Sequence, residues 1–160
     1  MKAIEILFFD IGYTLVNEDA VWDIRCKEQA EASEAKELGL SAEDIYQEIE
    51  KALRARMPQY RTVQNKFRFK EAAPYRSGLE TIYNDVPRIL SILSGKYELG
   101  NIANQVDGLK ERLANFGILK YFTYIISSWD VQVTKPDIRI FEYALKMEKC
   151  TPEIAFIQSV

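Results

Sequence analysis

Histidine is absent from all 160 residues. A Ser-His-Asp or Cys-His nucleophile system is therefore excluded, along with the commonest metal ligand, and any chemistry falls to carboxylates, lysine, tyrosine and main chain. Cysteine is almost as scarce: Cys26 and Cys150 stand far apart, with neither metal-ligand spacing nor a secretory context. Free buried thiols are expected, not a zinc site or a disulfide framework. No long apolar run is present either, because the one near the N-terminus is interrupted by Glu5 and Asp10. It is too short for a secretory core or a bilayer span, so a cytoplasmic address and no membrane partner are expected. The net charge of −3, from 24 acidic and 21 basic residues, supplies no whole-chain field to draw in nucleic acid, and no such partner is expected. Internal repeats and low-complexity segments are also lacking.

What is present is enough for a real core: the chain is 48% apolar, and one main domain is the prior at this length. Residues 4 to 9 read as a strand buried on both faces, because their near-continuous apolar character is bounded by a turn at Gly12. From 17 onward the pattern becomes helical and polar. "VWDIRCKEQAEASEAKEL" reads as one helix closing on Gly39, and Ser41 with Asp44 three residues later reads as the N-terminal box of a helix running toward Pro58. After "NDVPRILSILSG" comes a second strand, "YELGNIAN"; Asp107 is expected to cap the helix "GLKERLANFG". "YFTYIISS" is a third strand, "PDIRIFEYALKM" a helix, "TPE" a helix start with Pro in first position, and "AFIQSV" a fourth strand. Alternation of this kind predicts an α/β fold with a parallel sheet whose ligands lie beyond the carboxyl ends of its strands, where Asp10, Asn104 and "SSWD" fall.

Charge is partitioned in the helical stretch. Residues 17 to 50 carry eleven acidic and three basic side chains, whereas 51 to 70 carry seven basic and no acidic ones. A cationic wall for an anionic substrate is one reading; helices of opposite sign that pair or are solvated is the other, and the commoner.

An aspartate directly after a strand is by itself as readily a turn residue as a nucleophile. Read together in order, "FFDIGYTLV", "LGNIANQ" and "VTKPDIRIFEYAL" change that. The chain resembles the haloacid dehalogenase superfamily, most closely its hydrolases with a helical cap. The resemblance implies a Rossmann-like parallel sheet in the order 3-2-1-4, incomplete here. Its core would be residues 1–16 and 86–160, with an α-helical cap inserted at 17–85. It further implies a phosphatase-type hydrolase in which Asp10 is the covalent nucleophile and Lys135 the charge that holds nucleophile and transferring group. Gly12, Tyr13, Thr14, Ala103 and Asn104 would lie against the substrate, a small, phosphorylated metabolite. Mg²⁺ would be held by Asp10 and the Gly12 main-chain carbonyl.

The sequence also departs from the pattern. Gly12 stands where most phosphatases of the family have a second aspartate that protonates the leaving oxygen, work worth roughly 10²- to 10⁴-fold. Ala103 replaces a hydroxyl residue. Gln158 and Ser159 stand where the family has Gly-Asp, the latter a metal carboxylate, so the chain is expected to be C-terminally truncated and its metal site incomplete. Three readings follow from the resemblance: a phosphatase with weak or lost activity, a metal-independent dehalogenase-like hydrolase, and a non-catalytic relative or truncated gene product that keeps the fold for binding or regulation. A homodimer over the unfinished sheet edge would be one way to bury it.

Overall fold

The structure, a computed structural model, describes residues 4–147 and 151–158. Cys150, Ser159 and Val160 lie outside the described residues. Chain contacts divide it into two compact units, one made of residues 1–17 with 81–160 and the other of 18–80.

The first unit is built on β1 (Ile6–Phe9), followed by the short β2 (Val16–Asn17). The helical unit then contributes α1 (Asp19–Ala30), α2 (Ser33–Glu37), α3 (Ala42–Arg54) and α4 (Gln59–Phe67). The chain returns through β3 (Thr81–Ile82), α5 (Val86–Ser94), β4 (Glu98–Ala103), α6 (Leu109–Asn115), β5 (Tyr124–Ser127), α7 (Ser128–Val131), α8 (Ile138–Met147) and β6 (Ala155–Gln158). Antiparallel pairing of β2 with β3, Val16 to Ile82 and Asn17 to Thr81, ties together the two segments that lead out of and back into this unit. That ribbon is why the unit resumes at Thr81, five residues before the boundary at 86 expected from sequence.

Among the described residues the main sheet has four strands in the order β5-β4-β1-β6, all parallel. In chain order this is the 3-2-1-4 arrangement of a Rossmann-like α/β fold. Side chains of β1 alternate between two apolar layers. Ile6 and Phe8 pack with Ile102, Ile126 and, from α8, Ile140 and Ala144, whereas Leu7 and Phe9 lie against the layer formed by Leu99, Val86, Leu90, Leu109 and Leu113. A strand covered on both faces has to be apolar throughout, which is what "ILFF" supplies. Phe8 is fully buried, a contribution of about 1.5–3 kcal/mol. Its ring passes so close to β4 that a Cβ on Gly100 would lie 2.6 Å from Phe8 Cε1, so glycine is required there by a neighbour and not by a turn.

The helical unit has its own core of Cys26, Ala35, Ile45, Ile49, Val63 and Phe69. Ser41 starts α3 with a reciprocal box: its hydroxyl accepts the Asp44 N–H while Asp44 accepts the Ser41 N–H. Ile45, Ile49 and Ala52 then recur on one face. Two sequence expectations are corrected. The stretch 21 to 38, expected as one helix, is divided between α1 and α2, because Ala32 is extended, with ψ 149°. On one straight helix Cys26 and Ala35 would point to opposite faces; the break lets both enter the same core. Asp107 does not cap α6. Gly108, at φ 79°, holds the cap position, and Asp107 Oδ1 instead accepts the Gly108 N–H.

Charges in this unit are mostly paired locally: Lys51 and Lys66 with Glu48, Arg54 with Glu50, Lys70 with Glu34. Four of the seven basic residues of 51 to 70 thus pair with acids of the preceding stretch.

Candidate active site

Asp10 follows the last residue of β1 at the strand's carboxyl end. The loop behind it is rigid for a local reason. The amides of Thr14, Leu15 and Val16 converge on the Ile11 carbonyl at 3.2, 2.9 and 3.1 Å, and the Tyr13 amide donates to the Val16 carbonyl at 2.7 Å. Buried Ile11, Leu15 and Val16 anchor that turn in the apolar layer. The left-handed position is Tyr13, at φ 55°, and not Gly12, to which the sequence assigned the turn. Holding a non-glycine residue there costs on the order of 1–3 kcal/mol.

One oxygen of the Asp10 carboxylate, Oδ1, accepts the Ile11 N–H at 2.8 Å. The other, Oδ2, lies 2.6 Å from Lys135 Nζ, with the two side chains only 21% and 14% exposed. Lys135 reaches this carboxylate from the segment before α8, and its own backbone is fixed from a third strand end. Asn104, just past β4, accepts the Lys135 N–H on Oδ1 at 2.7 Å and donates from Nδ2 to the Lys135 carbonyl at 3.0 Å. A side-chain amide that grips both main-chain groups of one residue replaces a strand pairing. Asn104 is thereby a positioning residue for the lysine.

The loop after β4 is held in turn by Ser128, whose hydroxyl accepts the Gln105 N–H at 3.1 Å and donates to its carbonyl at 3.3 Å. Arg112, buried on α6, donates to the Asp107 carbonyl at 2.8 Å and to Gln105 Oε1. Sequence reasoning passed over Arg112, which reads as one more surface charge on a helix. Beside Lys135, Asp137 pairs with Arg139, whose guanidinium holds that carboxyl down at about 2. Asp137 is thus already committed and does not compete with Asp10 for Lys135.

Other expected site residues fall less uniformly. Thr14 Oγ1 is buried and, among the described residues, without a hydrogen-bond partner. Gly12 is half-buried and Tyr13 is exposed. Ala103 is fully buried with Leu99 in the apolar layer, so its methyl meets no ligand. The alternation of β4 explains this, since Leu99 and Ala103 share a face. A hollow of about 460 Å³ along β5, lined by Asp107, Tyr124, Ile126, Asp130 and Tyr143 among others, contains neither Asp10 nor Lys135.

The sequence profile of the haloacid dehalogenase-like hydrolases matches residues 7–157. The chain belongs to this family. Over 71 residues, 44% of its length, it is 37% identical to the glyceraldehyde 3-phosphate phosphatase of Methanothermobacter thermautotrophicus, and this match spans 31% of that curated relative. Among solved structures it resembles a haloacid dehalogenase-type phosphatase from Thermococcus onnurineus, with a TM-score of 0.67 and 22% identity over 98% of this chain and 76% of that one. A hydrolase of the family from Bacillus subtilis, solved bound to magnesium, gives a TM-score of 0.68 and 18% identity over 98% and 78%. At these identities the structural likeness speaks for the fold.

Within the family fold, Asp10, Asn104 and Lys135 occupy or meet the carboxyl ends of adjacent strands, where a parallel α/β sheet presents its ligands. A magnesium site fits these residues poorly. Among the described residues no group of three or more His, Cys, Asp or Glu could hold a metal ion, and Asp10 already has Lys135 on one oxygen. Mg²⁺ asks for a near-octahedral set of carboxylates, carbonyls and waters, and a single aspartate does not build one.

Proposed function

We propose that the protein is a phosphatase-type hydrolase acting on a small phosphorylated metabolite, with Asp10 as covalent nucleophile. The observation that carries this reading is the Asp10 Oδ2–Lys135 Nζ contact at 2.6 Å, with the lysine backbone gripped by Asn104. Asp10 attacks phosphorus; an O–P bond forms to the carboxylate while the ester P–O bond breaks and the alcohol oxygen leaves. Water then attacks the acyl phosphate, restoring Asp10 and releasing inorganic phosphate. Lys135 orients Asp10 and offsets the charge that builds on the phosphoryl oxygens, the role cations take in phosphoryl transfer generally. The buried Thr14 hydroxyl supplies a donor for one of those oxygens.

Turnover is expected to be slow. Gly12 carries no acid, so the leaving oxygen takes its proton from water, forgoing roughly 10²- to 10⁴-fold. The unit of residues 18–80 is read as the family's cap, the part that selects the substrate; its insertion between β2 and β3 directly after the Asp10 loop supports this. A metal-independent, dehalogenase-like hydrolysis through the same aspartate is the second reading. It is favoured by one observation, that Asp10 is paired to Lys135 while the residue two positions on, Gly12, carries no carboxylate.

A panel of phosphomonoesters and 2-haloacids, with and without Mg²⁺, tests both. Phosphate release lost in Asp10→Asn is the expected result. Halide release alone would move the assignment to the second reading, and turnover equal in Asp10→Asn and the parent chain would refute both.

A further inference from the structure

Cations of the helical unit generally have a carboxylate. Lys27 has Asp23, Lys36 has Glu31, Arg54 has Glu50 and Arg76 has Glu28. Arg56, Arg61 and Arg68 have none among the described residues, but all three are exposed and water solvates them. Arg25 differs from both groups. It is half-buried on α1, and among the described residues no carboxylate pairs with it.

Its surroundings are aromatic. The guanidinium carbon lies 3.5 Å from the centroid of Tyr60, with Trp22 at 5.5 Å and Tyr75 at 5.8 Å. Nε donates to the Ala73 carbonyl at 2.8 Å and the Tyr60 hydroxyl is a further hydrogen-bonding partner of the guanidinium, so part of the fork is used. The nearby acid Glu18 is engaged elsewhere, by Trp22 Nε1 at 3.1 Å and the Tyr75 hydroxyl at 2.8 Å. The ring faces offset part of the cost of taking the cation out of water. Burial still dominates and holds the guanidinium below the ordinary arginine value. A buried charge of this kind is normally paired, because its desolvation exceeds what aromatic faces return.

We propose that the Nη edge of Arg25, walled by Trp22, Tyr60 and Tyr75, is a binding site for a small carboxylate. A planar carboxylate matches the guanidinium fork in shape and in its single charge. A phosphate dianion would need a second cation, and Arg76, the next arginine in the sequence around Tyr75, is committed to Glu28 at 2.6 Å. The site rests on the helical unit alone and does not depend on the hydrolase reading.

Trp22 is the reporter. The chain has two tryptophans, so the full-length protein carrying Trp129→Phe leaves Trp22 as the sole emitter, and Asp10→Asn removes any contribution from the catalytic aspartate. Titration with glycolate at constant ionic strength is expected to change the emission along a saturating curve, whereas inorganic phosphate does not saturate. Arg25→Gln abolishes the response and Arg25→Lys, which keeps the charge but loses the fork, weakens it about tenfold. A linear response, a saturating response unchanged in Arg25→Gln, or saturation by phosphate and not by glycolate would overturn the site. Should Arg25→Gln lose its cooperative thermal transition, the Arg25→Lys arm decides alone, and equal affinity there overturns the proposal.

Discussion

Two lysine–carboxylate pairs in this molecule have the same length and different meaning. Lys51 and Glu48 meet at 2.6 Å in the helical unit, and Lys135 and Asp10 meet at 2.6 Å at the sheet's carboxyl end. Lys51 is 67% exposed and lies one helical turn from its partner, whereas Lys135 is 14% exposed and reaches Asp10 from a remote segment held by Asn104. Distance alone therefore ranks neither pair. Water screens the first, and Glu48 is also served by Lys66. The second is desolvated and held in place from outside, which is the condition under which a charge pair can steer a reaction.

The difference can be sharpened by removing each cation. Lys135→Ala is expected to give the largest effect, a loss of turnover of about 10²- to 10³-fold, as for other preorganised charge-stabilising groups. Steady-state kinetics checks it, with kcat falling more than KM changes. Asn104→Ala should lower turnover less and be partly compensated by substrate binding, because it loosens Lys135 without removing the charge. Gly100→Ala acts on the sheet that carries the pair. Its new methyl would press on the buried Phe8 ring and should cost about 1–3 kcal/mol in denaturant unfolding. Lys51→Ala should be the smallest, about 0–1 kcal/mol in stability with turnover unchanged. A Lys51→Ala effect on turnover as large as that of Lys135→Ala would erase the distinction between the pairs.

Much of the sheet was legible because its signal is local. "ILFF" before Asp10, the run of β4 and the strand of β5 each announce burial on two faces, and the order of strands follows from the family resemblance carried by "FFDIGYTLV" and "VTKPDIRIFEYAL". The helix ends were legible where a side chain does the capping, as at Ser41, and illegible where the backbone does it, as at Gly108 behind Asp107. The break at Ala32 has no breaker residue; it exists because Cys26 and Ala35 share one core, a tertiary demand that no local propensity encodes. The grip of Asn104 on Lys135 was hidden for a related reason. It joins a side chain to main-chain atoms far along the chain, and main chain leaves no trace in a sequence. Arg25 was hidden by its neighbours: in a stretch of eleven acids one arginine reads as a paired surface charge, and only the rings of Trp22, Tyr60 and Tyr75 around it show otherwise.

Cys26 marks the inert end of the same contrast. Burial pushes its thiol up to about 11, so the thiolate is scarce at neutral pH. In a Cys150→Ser background, alkylation of the native protein should be slow at pH 7 to 8 and accelerate toward the value the thiol is pushed to. Rapid labelling at neutral pH would mean the α1 face opens.

The most direct test of the reaction centre is to trap the intermediate. The chain would be mixed with a phosphomonoester it turns over, quenched, reduced with borohydride and digested. An acyl phosphate on Asp10 predicts that the peptide containing "ILFFDIGY" carries homoserine in place of that aspartate, and that Lys135→Ala diminishes the yield. Phosphate release during turnover with Asp10 unreduced, or with the label on another residue, would contradict it.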